Sequence, residues 1–349
     1  MASRVKFGII GTGAIAAMHA EALKATNNAE LVAVYDKVTE RAQAFADKYN
    51  VRAMDSFEDF LGSEDIEAVT IATPTGIHGL VAIPAARAGK HVLCEKPLDV
   101  TLEKADAIIE ACEDNHVILS AVFQIRFSDK VLLIKDAIDS GRFGRIVMAS
   151  AKLPWARSQD YYDSASWRGT WELDGGGALM NQAIHIIDLL LYLNGDPAEV
   201  HGYTGTLTHT GIEVEDNAAA VVKFKNGSFG TIEASTSCAP GFPRRIEICG
   251  SKGSVILEDD QIIRWQFADE RPEDAHIRAD DIVGNGMHGG SGDPMAITCE
   301  GHRRQITDMA EAILSHTQPK LPGRDGRRAI QLICGIYESA RTGQTVKFD

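Results

Sequence analysis

Short apolar runs alternate with helical patterns through the first 122 residues of the chain. The runs consist mostly of Val, Ile, Leu and Ala, which is typical of parallel strands buried on both faces. Such an alternation predicts a doubly wound α/β domain. The expected strands are 5–10, 31–35, 68–72, 91–94 and 117–122, and the expected helices lie near 14–26, 38–48, 77–88 and 101–114.

After residue 123 the pattern becomes one of hairpins. Residues 218–224 and 229–235 flank the turn 225–228, whose Asn-Gly pair is typical of a tight hairpin. A second hairpin is expected between 245–249 and 254–258. Because these strands follow one another without helices, we expect a largely antiparallel sheet.

The length of 349 residues exceeds what one hydrophobic core usually serves, so we expect two domains. The first is a doubly wound domain over residues 1–122, and the second is an α+β domain over 123–349 with a large, open sheet. Glycine-rich residues 284–294 predict a mobile loop. Two helices, near 301–315 and 325–341, are expected to close the chain.

Charge and composition exclude several classes of function. The formal net charge of −14 argues against binding to nucleic acid or to an anionic membrane surface. No apolar run reaches the length of a signal sequence or a membrane span. The six cysteines lack metal-binding spacing, so we expect reduced thiols in a cytoplasmic protein and no metal site.

A glycine-rich turn, Gly11-Thr12-Gly13-Ala14-Ile15-Ala16, follows the first strand and opens a helix. Gly11 would allow the tight turn, Gly13 would let a pyrophosphate approach the backbone, and Ala16 would let the helix pack on the sheet. The helix N-terminus then offers N–H groups to phosphates. The alternative is a purely structural turn, but the strand–turn–helix context favours a dinucleotide site.

Asp36 ends the second strand, 20 residues beyond Ala16. A carboxylate there can accept hydrogen bonds from both ribose hydroxyls and would repel a 2′-phosphate, which favours NAD over NADP. Lys37 and Arg41 follow closely and could offset part of that repulsion. The expected cofactor is therefore NAD, with NADP possible.

Three further segments carry a resemblance to a known family: Ala72-Thr73-Pro74-Thr75-Gly76-Ile77-His78, then Glu95-Lys96-Pro97, then residues 176–185, which end in Asn181-Gln182-Ala183-Ile184-His185. With the glycine turn, they make the whole chain resemble the Gfo/Idh/MocA oxidoreductases, named for glucose–fructose oxidoreductase and inositol dehydrogenase. The resemblance implies a Rossmann domain and an α+β domain whose open sheet serves oligomerisation. It also implies reversible hydride transfer at a secondary alcohol of a sugar, sugar derivative or polyol.

The resemblance also implies site residues. Lys96 would lie next to the reacting oxygen, and His185 would accept the proton. The cofactor-binding residues would be Gly11, Thr12, Gly13, Ala14, Ile15, Asp36, Thr73, Pro74, His78, Glu95 and Lys96. The protein would be a homo-oligomer, a dimer or tetramer assembled through its second sheet.

The residues themselves support part of this assignment. Lys96 follows a parallel strand at its carboxyl end, where open α/β sheets bind ligands, although an exposed loop lysine would look the same. At about 100° per residue, Asn181, His185 and Asp188 fall within one sector of roughly 60° on an otherwise apolar helix. That polar stripe indicates either a substrate cleft or a solvent-exposed edge.

Position 181 departs from the family pattern, which usually has aspartate there. Asn181 can orient a hydroxyl or an imidazole, but it cannot supply a negative charge to an imidazolium. Asp188 could take that role, or it could be a structural carboxylate. Family members that act on nucleotide-linked sugars look similar here, with asparagine and glutamine before the histidine.

An aromatic segment, residues 155–171, contains Trp155, Tyr161, Tyr162, Trp167 and Trp171, interleaved with Arg157 and Arg168. Aromatic faces suit sugar rings, and arginine suits carboxylate or phosphate, so we predict substrate contacts; the alternative is a packed loop. Arg126 is a further candidate, although it could form an interdomain ion pair. The predicted substrate-binding residues are Arg126, Arg157, Tyr162, Trp167, Arg168, Asn181 and Asp188.

Two other functions compete with that of a dehydrogenase. One is a sugar-modifying enzyme that retains its NAD through internal redox or glycoside cleavage. The other is a regulator that binds NAD(P) without chemistry, which the presence of both Lys96 and His185 disfavours.

Overall fold

The computed structural model describes residues 3–282 and 299–349, so the loop expected at 284–294 lies outside the described residues. The chain clusters into two compact units, one from residues 1–124 and 298–327 and the other from 125–297 and 328–349. The sequence predicted contiguous domains. The difference arises from a C-terminal helix whose apolar side, including Ile306 and Met309, is buried in the core of the first unit.

The first unit contains a six-stranded sheet in the order β3-β2-β1-β4-β5-β6, and every pairing is parallel. This confirms the predicted doubly wound arrangement. Its strands are β1 Val5–Ile10, β2 Ala29–Tyr35, β3 Arg52–Ala53, β4 Ala68–Ile71, β5 His91–Cys94 and β6 Leu119–Ala121. Its first helices are α1 Ala14–Lys24, α2 Thr39–Tyr49, α3 Phe57–Gly62, α4 His78–Arg87 and α5 Leu102–Asp114.

The second unit contains an eight-stranded sheet in the order β13-β12-β11-β7-β10-β9-β8-β14, antiparallel except for the parallel pair β7 and β10. Both predicted hairpins are confirmed, β9 with β10 and β11 with β12. The strands are β7 Ile146–Pro154, β8 Pro197–Gly205, β9 Asn217–Phe224, β10 Phe229–Ser235, β11 Arg245–Gly250, β12 Gly253–Glu258, β13 Gln261–Phe267 and β14 Val346–Lys347.

The remaining helices are α6 Asp129–Asp139, α7 Gln159–Asp163, α8 Ile184–Asn194, α9 Pro272–Ile282, α10 Glu300–Ser315 and α11 Gly323–Thr342. Of these, α10 belongs to the first unit, and α11 begins in the first unit and continues in the second. The very apolar α8 packs on β7 and β11, which buries one face of the sheet. Strand residues alternate accordingly, so Ala220 and Val222 are buried while Val221 and Lys223 are exposed.

The segment before α8 departs from the single helix that the sequence predicted. Residues 178–183 form a π-helical turn, and the regular helix begins at Ile184. A Cβ added at Gly177 would lie 1.9 Å from the carbonyl oxygen of Glu215, and one at Gly176 would lie 2.1 Å from the hydroxyl of Tyr337. These two positions therefore require glycine because neighbouring chain segments approach so closely.

The buried carboxylate of Glu215 holds the start of this turn. It accepts hydrogen bonds from the backbone N–H groups of Gly177 (3.1 Å) and Leu179 (2.8 Å) and from the hydroxyl of Tyr337 (2.9 Å). Burial raises the pKa of Glu215 to about 7, and the backbone donors act in the opposite direction. One carboxylate thus fixes the segment that leads to His185.

Neutralising Glu215 tests this arrangement through the pH dependence of stability. The pKa is about 7 in the folded chain against an ordinary 4.5, so the folded state holds the proton more tightly, and this contribution is lost as pH rises from about 4.5 through 7. At about 1.4 kcal/mol per pKa unit, the loss approaches about 3 kcal/mol. Glu215→Gln does not titrate at this position. The unfolding free energy of wild type minus that of the variant should therefore fall by about 3 kcal/mol between pH 4.5 and pH 7.

Chemical denaturation at a series of pH values measures this difference. Glu213→Gln is the matched control, because Glu213 is an exposed neighbour of the same residue type. A difference for Glu215→Gln that stays constant with pH would contradict the argument.

Candidate active site

The turn between β1 and α1 has the geometry that the glycine motif predicts. Gly11 has a φ of +90°, and a Cβ there would lie 2.8 Å from the carbonyl oxygen of Ala72. At Gly13 an added Cβ would meet no protein atom within 4 Å, so packing within the chain does not require glycine at that position. Close approach of a ligand does require it, which fits a pyrophosphate. Ala16 is fully buried against the sheet, as predicted.

Asp36 ties the end of β2 to this turn. One carboxylate oxygen accepts hydrogen bonds from the backbone N–H and the hydroxyl of Thr12, both at 2.9 Å, and the other accepts from the N–H of Val38 at 2.9 Å. A carboxylate has about four acceptor positions, so capacity remains for a ribose hydroxyl. Asp36 is half-buried, as Thr12 and Ile15 are, whereas Ala14 is exposed.

His78 joins the loops that follow β4 and β5. Its ring is fully buried, with Nδ1 2.9 Å from the carbonyl oxygen of Pro97 and Nε2 3.0 Å from that of Thr73. Both ring nitrogens therefore lie against backbone carbonyl oxygens, so His78 links these two loops, and its predicted contact with a cofactor stays a prediction. Thr73 and Pro74 are half-buried on the first of the two loops.

The tripeptide Glu95-Lys96-Pro97 follows β5, and its glutamate is buried. One oxygen of the Glu95 carboxylate lies 2.8 Å from Nε2 of His19 and 3.6 Å from Nε2 of His302, while the other accepts the backbone N–H of Lys96 at 3.1 Å. Burial acts to raise the pKa of Glu95, but the hydrogen bond from His19 and the nearby ring of His302 outweigh it and hold that pKa well below its ordinary value. Lys96 itself is half-buried.

Sequence reasoning missed both histidines. His19 lies on the buried side of α1 with Ala16 and Ala20, where a histidine within an apolar stripe is the available signal. His302 comes from α10, more than 200 residues after Glu95, and no local pattern connects the two.

In the second unit, Tyr161 is the centre of the aromatic segment. Its hydroxyl accepts hydrogen bonds from the guanidinium of Arg168 (2.7 Å) and from the amide of Gln182 (2.9 Å). The Arg168 guanidinium lies 4.2 Å from the centre of the Tyr161 ring and 4.5 Å from that of Trp167. Arg157 donates to the side-chain oxygen of Gln182 at 2.9 Å. The structure therefore brings Arg157, Trp167 and Arg168 together around Tyr161, and their contact with a substrate stays a prediction.

Tyr162 packs inside the second unit, and its predicted contact with a substrate stays a prediction. It is 5% exposed, its hydroxyl pairs with that of Thr236 at 2.8 Å, and its ring meets His209 edge-on. Burial raises the pKa of Tyr162 to about 12. Adjacent residues of a helix point in different directions, so on the short helix α7 Tyr162 packs inward while Tyr161 contacts Arg168 and Gln182.

Asn181 contacts a carboxylate that the sequence did not reveal. Its side-chain amide donates to Asp174, which is 2% exposed and also accepts the backbone N–H of Gly169 at 2.9 Å. The Asn181 oxygen accepts from the amide of Gln182 and, at 3.5 Å, from the hydroxyl of Tyr161. The negative charge that position 181 lacks is therefore present on its neighbour Asp174.

The predicted polar stripe is only partly present. Asn181 and His185 are half-buried, but Asp188 is 1% exposed and forms a two-point salt bridge with Arg126, with Nε 2.7 Å from Oδ2. Both partners belong to the second unit, so this salt bridge of Arg126 lies within one domain and is not an interdomain ion pair. The guanidinium also lies over the ring of Tyr192 at 4.7 Å. The structure favours a structural role for Asp188 over that of a charge partner for His185.

Within the described ranges, no helix combines the length and the apolar character needed to cross a membrane.

Two segments of the chain match family models of known proteins. Residues 5–123 match the oxidoreductase family with an NAD-binding Rossmann fold, and residues 131–256 match the GFO/IDH/MocA C-terminal domain. Inositol 2-dehydrogenase from Rhizobium meliloti is 32% identical over 272 residues, which cover 76% of this chain and 78% of that protein.

Solved structures agree with this assignment. The WlbA dehydrogenase from Bordetella pertussis, in complex with NADH and UDP-GlcNAcA, aligns with a TM-score of 0.89 and 34% identity over 99% of this chain and 98% of that one. A levoglucosan dehydrogenase in complex with NADH and levoglucosan aligns with a TM-score of 0.86 and 25% identity over 99% and 100%. The chain therefore belongs to the GFO/IDH/MocA family of oxidoreductases, and its first unit is an NAD-binding Rossmann domain.

Proposed function

We propose that this NAD-dependent oxidoreductase transfers hydride between the nicotinamide and a secondary alcohol of an anionic sugar, of the nucleotide-linked uronic acid class. The observation that carries the proposal is the cluster of two guanidinium groups around Tyr161, in direct contact with Gln182 three residues before His185. The likeness to WlbA, whose complex contains UDP-GlcNAcA, supports the same substrate class.

The charge of Arg168 is not paired with a carboxylate among the described residues. Within the part of the chain that the structure describes, Arg168 bonds to the hydroxyls of Tyr161 and Ser164, and no carboxylate forms a salt bridge with it. Burial lowers the pKa of the Arg157 guanidinium, and the charge of Arg168 adds to that effect. Two cations held this close favour an anionic ligand, and arginine forks match carboxylate and phosphate geometry.

We assign the catalytic roles to four residues. Lys96 donates a hydrogen bond to the substrate alcohol oxygen and stabilises the negative charge that grows there. His185 accepts the hydroxyl proton. Asn181, tied to Asp174, orients the substrate or the imidazole. Bound NAD supplies the hydride acceptor, held by the glycine turn and by Asp36.

We further propose a homo-oligomer assembled on the outer face of the eight-stranded sheet, in the cytoplasm. The face away from α8 exposes Met148, Tyr203, Val221 and Phe229, and apolar side chains on a sheet face suit a second copy. None of the six cysteines, which all lie within the described residues, forms a disulfide, and this suits a reducing compartment.

Asp36 should make the enzyme prefer NAD. A carboxylate beside the ribose repels a 2′-phosphate, so wild type should bind NADP at least roughly tenfold more weakly than NAD. Asp36→Asn removes the charge and retains an acceptor for Thr12, so it should bring the two affinities together. Asp36→Ala also removes the bonds to Thr12 and Val38 and should weaken both cofactors. Isothermal titration measures these affinities, and equal binding of NADP by wild type would refute the preference.

Lys96 and His185 should be needed for chemistry but not for binding NAD. Loss of one such group commonly lowers the rate by about 10² to 10⁴. Lys96→Met and His185→Ala should therefore fold, bind NAD normally and turn over at least roughly 10²-fold more slowly. Lys104→Met, at an exposed lysine of α5, is the control and should change nothing.

Cofactor analysis of the purified protein belongs in the same experiment. Release of NADH with substrate supports a dehydrogenase, whereas retained NAD without net NADH would indicate internal redox. A Lys96→Met protein with a near-normal kcat would disprove the assigned roles.

Arg157 and Arg168 should matter for charged substrates. A hydrogen bond to a charged group contributes about 1.5–3 kcal/mol, so Arg168→Ala should raise KM for UDP-GlcNAcA by roughly 10- to 100-fold and leave KM for myo-inositol nearly unchanged. Arg157→Ala should act in the same direction, and Arg264→Ala, at an exposed arginine of β13, serves as the control. If KM rises equally for both substrates, the two arginines have a structural role and do not recognise the charge of the substrate.

A further inference from the structure

Three buried histidines surround the tripeptide that contains Lys96. His78 contacts the carbonyl oxygen of Pro97, on one side of the lysine. His19 and His302 contact the carboxylate of Glu95, on the other side. The exposed fractions of His19, His78 and His302 are 0%, 0% and 3%. Burying three imidazoles is costly unless each has a polar partner, so this arrangement needs an explanation.

The protons in this cluster can be assigned from its contacts. Burial lowers the pKa of His19, although Glu95 opposes the shift, so the ring is neutral. Its Nε2 lies 2.8 Å from Glu95 and its Nδ1 lies 3.0 Å from the hydroxyl of Thr70. An ionised carboxylate can only accept, so Nε2–H donates to Glu95 and Nδ1 accepts the hydroxyl proton of Thr70.

His302 completes the cluster from α10. Its Nε2 is 3.6 Å from the same Glu95 oxygen, and its ring meets that of His19 edge-on with 5.1 Å between centres. Neither of its ring nitrogens has a hydrogen-bond partner among residues 3–282 and 299–349. The Glu95 carboxylate is thus a polar group close to this buried ring, and a small shift would turn the contact into a hydrogen bond.

The second oxygen of Glu95 transmits this constraint to Lys96. It accepts the backbone N–H of Lys96 at 3.1 Å, so the position of the carboxylate sets the position of the lysine main chain. We propose that His19, Glu95 and His302 form a positioning cluster. The cluster orients the Lys96 side chain so that it can donate a hydrogen bond to the substrate oxygen and stabilise the negative charge there. This inference rests on the proposed role of Lys96.

Two imidazoles and one carboxylate are also a possible set of metal ligands, and these three lie within 4.8 Å of one another. Ligands about 2.1 Å from a tetrahedral ion stand roughly 3.4 Å apart. The 2.8 Å between His19 and Glu95 is shorter and is that of a direct hydrogen bond. The geometry therefore favours a hydrogen-bonded cluster over a bound ion.

The test compares His302→Ala, His302→Gln and Glu95→Gln with Gln305→Ala in the full-length protein. Gln305 is the matched control, since it is 1% exposed on the same helix and anchors α10 by donating to the carbonyl oxygen of Ala121 at 2.6 Å. A misplacement of about 1 Å can cost about 10²-fold in rate. His302→Ala and Glu95→Gln should lower kcat at least roughly tenfold while KM and NAD affinity change less than about threefold.

His302→Gln restores an N–H near the position of Nε2 and should recover most of the kcat. Gln305→Ala should reduce stability and leave kcat nearly unchanged. If Gln305→Ala lowers kcat as much as His302→Ala, the effect is one of helix docking and the proposal is overturned. Stoichiometric divalent metal in the purified wild type that is lost in His302→Ala would also overturn it.

A readout without substrate separates this proposal from the proposed function. Reductive ¹³C-methylation labels the lysines, and the Lys96 resonance is identified by its loss in Lys96→Met. Its titration midpoint should move in His302→Ala and Glu95→Gln and stay in place in Gln305→Ala. If no sugar is turned over but the Lys96 midpoint moves, the positioning cluster is supported and the proposed function is refuted. A midpoint that does not move overturns the positioning cluster.

Discussion

The carboxylates of Glu95 and Glu215 are buried, and the active-site segments depend on how their charge is compensated. A buried carboxylate needs hydrogen-bond donors, because otherwise the free energy of burying its negative charge is too unfavourable for it to stay ionised. His19 and the backbone N–H of Lys96 donate to Glu95, and His302 lies 3.6 Å from it. Two backbone N–H groups and the hydroxyl of Tyr337 donate to Glu215. Each carboxylate therefore joins parts of the chain that are distant in sequence. Glu95 precedes Lys96 directly, and Glu215 holds the turn that leads to His185.

The two carboxylates differ in the charge that their surroundings favour. The two neighbouring histidines hold the pKa of Glu95 well below its ordinary value, whereas burial raises that of Glu215 to about 7. The first therefore stays ionised at neutral pH next to a lysine. The second lies close to its own titration near neutral pH, while it holds the glycine run that precedes His185.

Much of the fold follows from the order of apolar runs. Parallel strands buried on both faces, a glycine turn after the first strand and two hairpins in the second sheet are local patterns, and each is confirmed. The family and its NAD-binding domain were likewise evident from short motifs, because a turn that admits a pyrophosphate needs glycine at fixed spacing. The assigned roles of Lys96 and His185 stay predictions.

Long-range placement explains what the sequence did not reveal. The π-helical turn before α8 arises because Gly176 and Gly177 pack against Tyr337 and Glu215, and regular helical spacing therefore does not hold across residues 178–183. Inward packing of Tyr162 depends on Thr236, 74 residues away.

The sequence by itself determined which residue types lie at the ends of strands and on the faces of helices, since backbone periodicity is a local property. Only the tertiary structure decided which polar groups meet. Asn181 donates a hydrogen bond to Asp174, and Arg126 forms a salt bridge with Asp188. His302 lies next to Glu95, although more than 200 residues separate them in the sequence. Partners of buried polar groups are chosen by proximity after folding, and nothing in the spacing of single residues records that choice.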